Sequence, residues 1–360
     1  MNRSLFELEP RLPIDKTNRE FRIVRETVGF TAARRLMDEI FSTFPDTDGN
    51  FRKEFQTTGF SPRFLELTLY AMLQEQGHQV DRSSAAPDFV IRGAHPVAIE
   101  ATTTNPPQGS TSETDEDIMA AVRRLIPDDL AEAEEEFVLQ AGKAIRRKMI
   151  KRDAQGHAYW EKPHVAGVPF AIALEAFHHP SALIFSSTAL ANYLYGQRDV
   201  AHHDNNGRLV ITSEQITEHK NRDKKPIPSG LFNQPGSEHL AAVMFTNDAT
   251  ISKFNRMGTE RGYGPENVHL IRGGLMYNTA PDADTPTPFK YEVVECEPEE
   301  RERFSEGFHV FHNPNARHPV SVGTFEGCVE HRLLETGRTL TTWKGRSIFA
   351  SRTVIIQGTE

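Results

Sequence analysis

The chain has 360 residues, of which 38% are hydrophobic and 25% charged, and its formal net charge is -9. That apolar share is enough for one large or two ordinary packed domains, and the acidic balance excludes a protein coated in basic surface for non-specific DNA binding. With two cysteines, Cys296 and Cys328, a disulfide framework and a cysteine-built zinc site are excluded too.

The opening MNRSLFELEPRLP has no apolar stretch of signal-peptide length, and no later run is long enough to span a bilayer, so a soluble, cytoplasmic protein without membrane contact is expected. Residues 1–50 read as a lead-in, with a helix around Thr31–Phe44 and a turn at Asp46–Asn50. Ser61–Gln76 reads as a helix with Ser61 as its cap, Pro62 in its first turn and Gly77 as its stop. Three short strands follow at His78–Arg82, Asp88–Arg92 and Pro96–Thr102, with a turn at Arg92–His95. Asn105–Asp117, rich in Pro, Gly, Ser, Thr and acids, reads as an exposed loop. A long helix is expected from Asp129 to Arg152; its acidic first turns and basic last turns suit the helix dipole. Phe170–Phe177 is an apolar strand, bounded by His178–His179–Pro180, and Thr188–Tyr195 a helix stopped by Gly196.

The order helix, three strands, helix, strand, helix predicts an α/β core with a mixed central sheet and flanking helices over residues 51–200. After a polar junction at Ala201–Arg208, residues 201–360 read as an α+β region. Strands are expected there at Glu238–Thr246 and Val268–Arg272, with a strand pair at Trp343–Val354.

The sharpest chemical signal lies in the first half. Asp88, within Pro87–Asp88–Phe89, opens one short strand, and Glu100 ends the apolar run Val97–Ala98–Ile99 on the next. Neighbouring strands lie about 5 Å apart, so two such carboxylates can share one divalent ion with oxygen ligands. Glu66 adds a third acid. It shares a helix face with Leu69, Tyr70 and Leu73 and is expected to point inward; the competing reading is an acid paired with Arg63.

This arrangement resembles the restriction-endonuclease-like, or PD-(D/E)XK, nuclease superfamily over roughly residues 60–196, and the whole chain also resembles a group of uncharacterised bacterial proteins. The resemblance implies that Glu66, Asp88 and Glu100 hold Mg2+ or Mn2+, with the carbonyl of Ala101 as a further ligand. It implies hydrolysis of nucleic acid, with DNA as the expected substrate, and it allows a homodimer. Thr102 stands where the family places its catalytic lysine. In divergent members that lysine sits on the following helix, which here offers Lys143, Lys148 and Lys151. Lys148 continues the stripe Phe137, Ala141, Ala144, Ile145 and is the preferred candidate; Lys143 falls off the stripe.

Other clusters carry less. Arg146, Arg147, Lys148, Lys151 and Arg152 form one basic patch, and Lys220, Arg222, Lys224 and Lys225 another. Tyr159–Pro163 reads as a packed connection, with base stacking as the alternative. Thr246–Asp248 with Ser252–Arg256 reads either as a substrate-reading element or as a helix cap and turn. His309, His312, Asn313, Asn315 and His318 read as structural or surface residues. Gly258, Gly262 and Gly264 do not fit a phosphate-cradling pattern. Two competing functions remain: an inactive nuclease fold serving as a nucleic-acid-binding or protein-interaction module, and a hydrolase built from converging C-terminal histidines and acids.

Overall fold

The computed structural model describes residues 4–104, 129–176, 182–221, 225–346 and 348–358. Four helices open the chain: α1 (Arg19–Glu26), α2 (Thr31–Thr43), α3 (Phe51–Phe55) and α4 (Phe60–Glu75). They are followed by β1 (Gln79–Asp81), β2 (Phe89–Arg92), β3 (Val97–Thr104), α5 (Leu130–Ile150), β4 (Phe170–Ala176) and α6 (Ala182–Tyr195). From α4 onward this is the expected alternation. α4 is buried all round from Phe64 to Leu73, and apart from Glu66 and Thr68 that stretch is apolar. Its N-cap is Gly59 rather than Ser61. Pro62 lies in the first turn, where no helical N–H partner is lost, and Gly77, at φ 75°, ends the helix as expected. α5 starts on Asp129, whose carboxylate accepts the Glu132 N–H at 2.9 Å.

The second half supplies β5 (Gln197–His203), β6 (Leu209–Gln215), β7 (Glu218–His219), β8 (Ile227–Pro228), β9 (Ala242–Thr246), α7 (Ile251–Thr259) and β10 (Val268–Met276). It ends with β11 (Thr287–Val293), β12 (Phe308–His312), β13 (Val329–Leu333), β14 (Thr339–Thr342) and β15 (Ile348–Gln357). The expected polar junction is the turn of the β5–β6 hairpin, where Asp204 accepts the N–H groups of Asn206 and Arg208. The expected strand pair at Trp343–Val354 is instead one strand, β15, antiparallel to β10, with β14 ending before Trp343.

One mixed sheet of eight strands, in the order β1-β2-β3-β4-β9-β12-β13-β14, joins both halves. The expected boundary at residue 200 falls inside β5, and the sheet passes from β4 directly to β9. The reason lies in β4: Phe170–Ala176 is buried on both faces, so it needs a paired neighbour on each edge. β3 fills one edge and β9 the other, both parallel to β4.

The described part of the expected lead-in, residues 4–50, likewise belongs to the core. Phe21, Val24, Leu36, Met37 and Phe41 pack in one cluster with α4, α7 and one face of the sheet. α5 and α6 cover the other face. Asn255 fastens α7 to the start of α2: its Oδ1 accepts the Ala33 N–H at 3.1 Å, and its Nδ2 donates to Gly29 O at 2.8 Å. Gly258 permits that contact, since a Cβ there would sit 2.4 Å from Ala32 O.

Candidate functional site

The backbone of β3 builds the site. Ala98 donates its N–H to Pro169 O at 2.8 Å, on the β4 side. Successive residues alternate in direction, so the N–H and C=O of Ala101 face the opposite edge, towards β2. The ladder between β2 and β3 reaches only to Phe89↔Ile99. Asp88, one residue before β2, therefore meets a free stretch of β3, and its Oδ2 accepts the Ala101 N–H at 2.7 Å.

Glu100 points to the face covered by α5 and is 4% exposed. Lys148, on the last turns of α5, places Nζ 2.6 Å from Glu100 Oε1. Glu100 Oε2 is buried and makes no hydrogen bond of standard geometry, with the Tyr159 phenol as its neighbour. Lys143, the other candidate, is exposed. Thr102, in the position of the missing lysine, is buried, and its hydroxyl receives a long 3.4 Å contact from Arg147 Nη2.

Glu66 points inward as expected, and it keeps the Arg63 pairing of the competing reading without the partial exposure that reading gave it. It is 6% exposed, and it is paired: Arg63 Nη1 lies 2.8 Å from both carboxylate oxygens, and Arg82 Nη2 lies 2.9 Å from Oε2. Arg82 is held in turn over the rings of Phe44 and Phe89, at 4.3 and 4.6 Å. Sequence reading missed Arg82, whose only signal was a basic residue at the end of a short strand.

These acids feel one another. Burial, then the charge of Glu100, pushes the Asp88 carboxyl up to about 6, against the pull of the Ala101 N–H, Lys148 and Arg82. Burial, then Asp88, raises Glu66, against Arg82 and Arg63. Burial and Glu100 also raise the phenol of Tyr159. Tyr159 stacks on Phe170 at 5.7 Å and Trp160 on His239 at 5.0 Å, so Tyr159–Pro163 is a packed connection. Beside it, Arg146, Arg147, Lys151 and Arg152 are exposed. The second basic patch lies partly, at Arg222 and Lys224, outside the described residues, as do the Asn105–Asp117 loop and His178–Pro180.

In the C-terminal half, Thr250 caps α7, while Lys253, Asn255 and Arg256 are buried rather than solvated. Asn313 donates to Ser237 O and Leu240 O at 2.8 Å each, a structural role, and His318 is exposed. His309 converges with a residue that sequence reading did not single out: its Nδ1 is 3.0 Å from His331 Nε2. Parallel pairing of β12 with β13 brings these histidines together across 22 positions of sequence.

Among the described residues, no three His, Cys, Asp or Glu side chains are arranged to hold a metal ion, and no helix is long and apolar enough to cross a membrane. Comparison with protein-family models, curated proteins and solved structures returns no match.

Proposed function

We propose that the chain is a divalent-metal-dependent phosphodiesterase acting on nucleic acid, with DNA as its substrate, built on a divergent restriction-endonuclease-like core. The observation that carries the reading is the Glu100–Lys148 pair beside Asp88. A strand acid keeps one buried oxygen unbonded, and a lysine from the next helix meets the other at 2.6 Å. A buried carboxylate with an open oxygen requires a partner. An acid whose buried neighbour is pushed up by its charge provides a place where a cation relieves repulsion.

Asp88, Glu100 and the Ala101 carbonyl would hold Mg2+ or Mn2+. Glu66 acts through Arg82 and Arg63 as an anchor of the site rather than as a free ligand. When bound, the ion supplies Lewis acidity towards a phosphodiester and lowers the pKa of water. Lys148 supplies the cation missing at Thr102: its ammonium orients the attacking water and steadies negative charge developing on the phosphate. The exposed arginines and lysines at the end of α5 offer contacts to the nucleic-acid backbone beside that lysine.

A competing reading is favoured by the arginine clamp on Glu66 and by the two-carboxylate site: the same fold, without catalysis, binding nucleic acid. One assay separates them. Wild type and Glu100→Ala are incubated with plasmid DNA, single-stranded DNA and RNA in Mg2+ or Mn2+. Metal-dependent cleavage by wild type, lost in the variant, is the expected result. Folded wild type that binds these substrates and cleaves none supports the inactive module.

A further inference from the structure

Tyr159 sits on a connection braced from both sides. After α5 ends, Asp153 accepts the N–H groups of Gln155 and His157 at 3.0 and 2.9 Å, and Lys162 Nζ at 3.1 Å. Glu161 Oε2 accepts the Ala158 N–H at 2.7 Å. These bonds close both ends of the short turn Tyr159–Glu161. The Tyr159 ring lies flat on Phe170, at 5.7 Å and 9°, and Lys151 Nζ stands 5.4 Å from its centre. Only 3% of the residue is exposed.

Packing accounts for the ring and not for the hydroxyl. Phe170 is the register partner of Ala98 on β3. Glu100 follows two residues later on the same face, roughly 7 Å along the strand. The Tyr159 hydroxyl reaches in that direction: of the charged groups around it, Glu100 acts on it most and Asp88 next. Neither Tyr159 Oη nor Glu100 Oε2 makes a hydrogen bond of standard geometry, and both are buried. A buried donor without an acceptor thus stands beside a buried acceptor without a donor. Leaving both open costs stability.

A second phenol on the same face provides a contrast. Tyr193 is fully buried, and its hydroxyl also lacks a hydrogen bond of standard geometry. It faces Arg146 instead of an acid, and a Cβ on Gly142 would stand 2.9 Å from its oxygen. An unbonded buried phenol is therefore no signature by itself. What distinguishes Tyr159 is the pair of acids beside its hydroxyl.

We propose that Tyr159 is a positioning residue of the carboxylate site: its hydroxyl is the second donor for Glu100, beside Lys148, and keeps that carboxylate oriented towards a divalent ion when Lys148 turns to the attacking water. The inference rests on the reading of Asp88 and Glu100 as a metal site. A carboxylate that ligates a metal is oriented by hydrogen bonds from behind, and such donors set metal affinity as well as rate. Lys148 cannot serve Glu100 and the water at once, and Tyr159 is fixed where it can take over the first task.

The test is manganese titration of the full chain by calorimetry, for wild type, Tyr159→Phe and Tyr193→Phe, with melting curves of each in EDTA. Phenylalanine keeps the stack on Phe170 and the seat of Lys151, so Tyr159→Phe should melt at or above the wild-type temperature. Its manganese affinity should fall by roughly 10-fold, while Tyr193→Phe should bind manganese as wild type does. Equal affinity in folded Tyr159→Phe overturns the proposal. So does an equal loss in Tyr193→Phe, or a loss in Tyr159→Phe that comes with a lower melting temperature in EDTA. Wild type that binds no manganese overturns the metal-site reading and this inference with it. A drop in Tyr159→Phe, in a protein that binds manganese and cleaves nothing, upholds the inference and removes the nuclease.

Discussion

Around Glu302 one buried acid is answered by two buried arginines; around Glu100 two neighbouring acids share one lysine. Glu302 receives both Arg256 Nε and Nη2, at 2.8 and 2.7 Å, and has Arg272 at 3.2 Å. Their charges hold its carboxyl well below the usual range despite complete burial. Glu100 has one lysine and the Tyr159 phenol beside it, and its neighbour Asp88 is pushed up instead of down. A network with every member satisfied fixes a fold. A cluster that leaves acids unsatisfied stores repulsion, which a ligand can relieve. On the proposed reading, that difference separates the Glu302 network, which is scaffold, from the Asp88–Glu100 cluster, which is the site.

The contrast predicts opposite signs for similar substitutions. Glu302→Gln strands two buried arginines, so it should cost about 3–5 kcal/mol of stability. Cleavage per folded molecule should be unchanged. Chemical denaturation with a parallel activity assay checks both, and a stable variant that has lost cleavage would break the contrast.

Glu66→Gln should cost less, about 2 kcal/mol, because Arg63 keeps Glu54 at 2.5 Å while Arg82 loses its acid. If Glu66 is an anchor, manganese affinity measured by titration should change little; a large drop would return Glu66 to the ligand set.

Asp88→Asn should act the other way in metal-free protein. The folded state holds the Asp88 proton up to about 6, above the ordinary carboxylate value, so stability is lost as pH rises through that range. Asparagine removes that loss and can still accept the Ala101 N–H. Its melting temperature in EDTA should exceed wild type near pH 8 and match it near pH 4. Manganese should raise the melting point of wild type and not of the variant. Equal melting curves at both pH values would show that neither burial nor Glu100 holds the Asp88 proton.

A gain of the same sign is expected at Glu175 on β4. It is fully buried, with neither carboxylate oxygen bonded, and burial followed by Asp248 raises its pKa well above the usual range. Glu175→Gln should therefore gain a few degrees in melting temperature above neutral pH and nothing in acid, checked by paired thermal scans.

The candidate site was legible in sequence because its parts are local. An acid at the start of one short strand, an acid breaking an apolar run on the next, and a lysine in phase with a buried stripe are all patterns within one segment. The helix-strand order around them was readable for the same reason. The rest depends on contacts across the chain. β4 was recognised as a strand, but nothing in Phe170–Ala176 names β9 as its partner, so the sheet was cut in two. Residues 1–50 looked like a lead-in because the reason for Phe21 and Leu36, the face of α4 and α7, lies elsewhere. His309 gave no sign of His331, nor Arg256 of Glu302, since such pairs exist only once β12, β13 and α7 are in place. Thr102 announced a missing lysine, and only helical phase pointed to its replacement.

The most direct measurement is the manganese-dependent cleavage rate of Lys148→Ala relative to wild type, with folding and metal binding verified on the same sample. A loss of about 100-fold or more, with metal affinity retained, is the predicted result and would assign Lys148 the task that Thr102 cannot perform. An unchanged rate in a folded, metal-binding Lys148→Ala protein would contradict the account of this site.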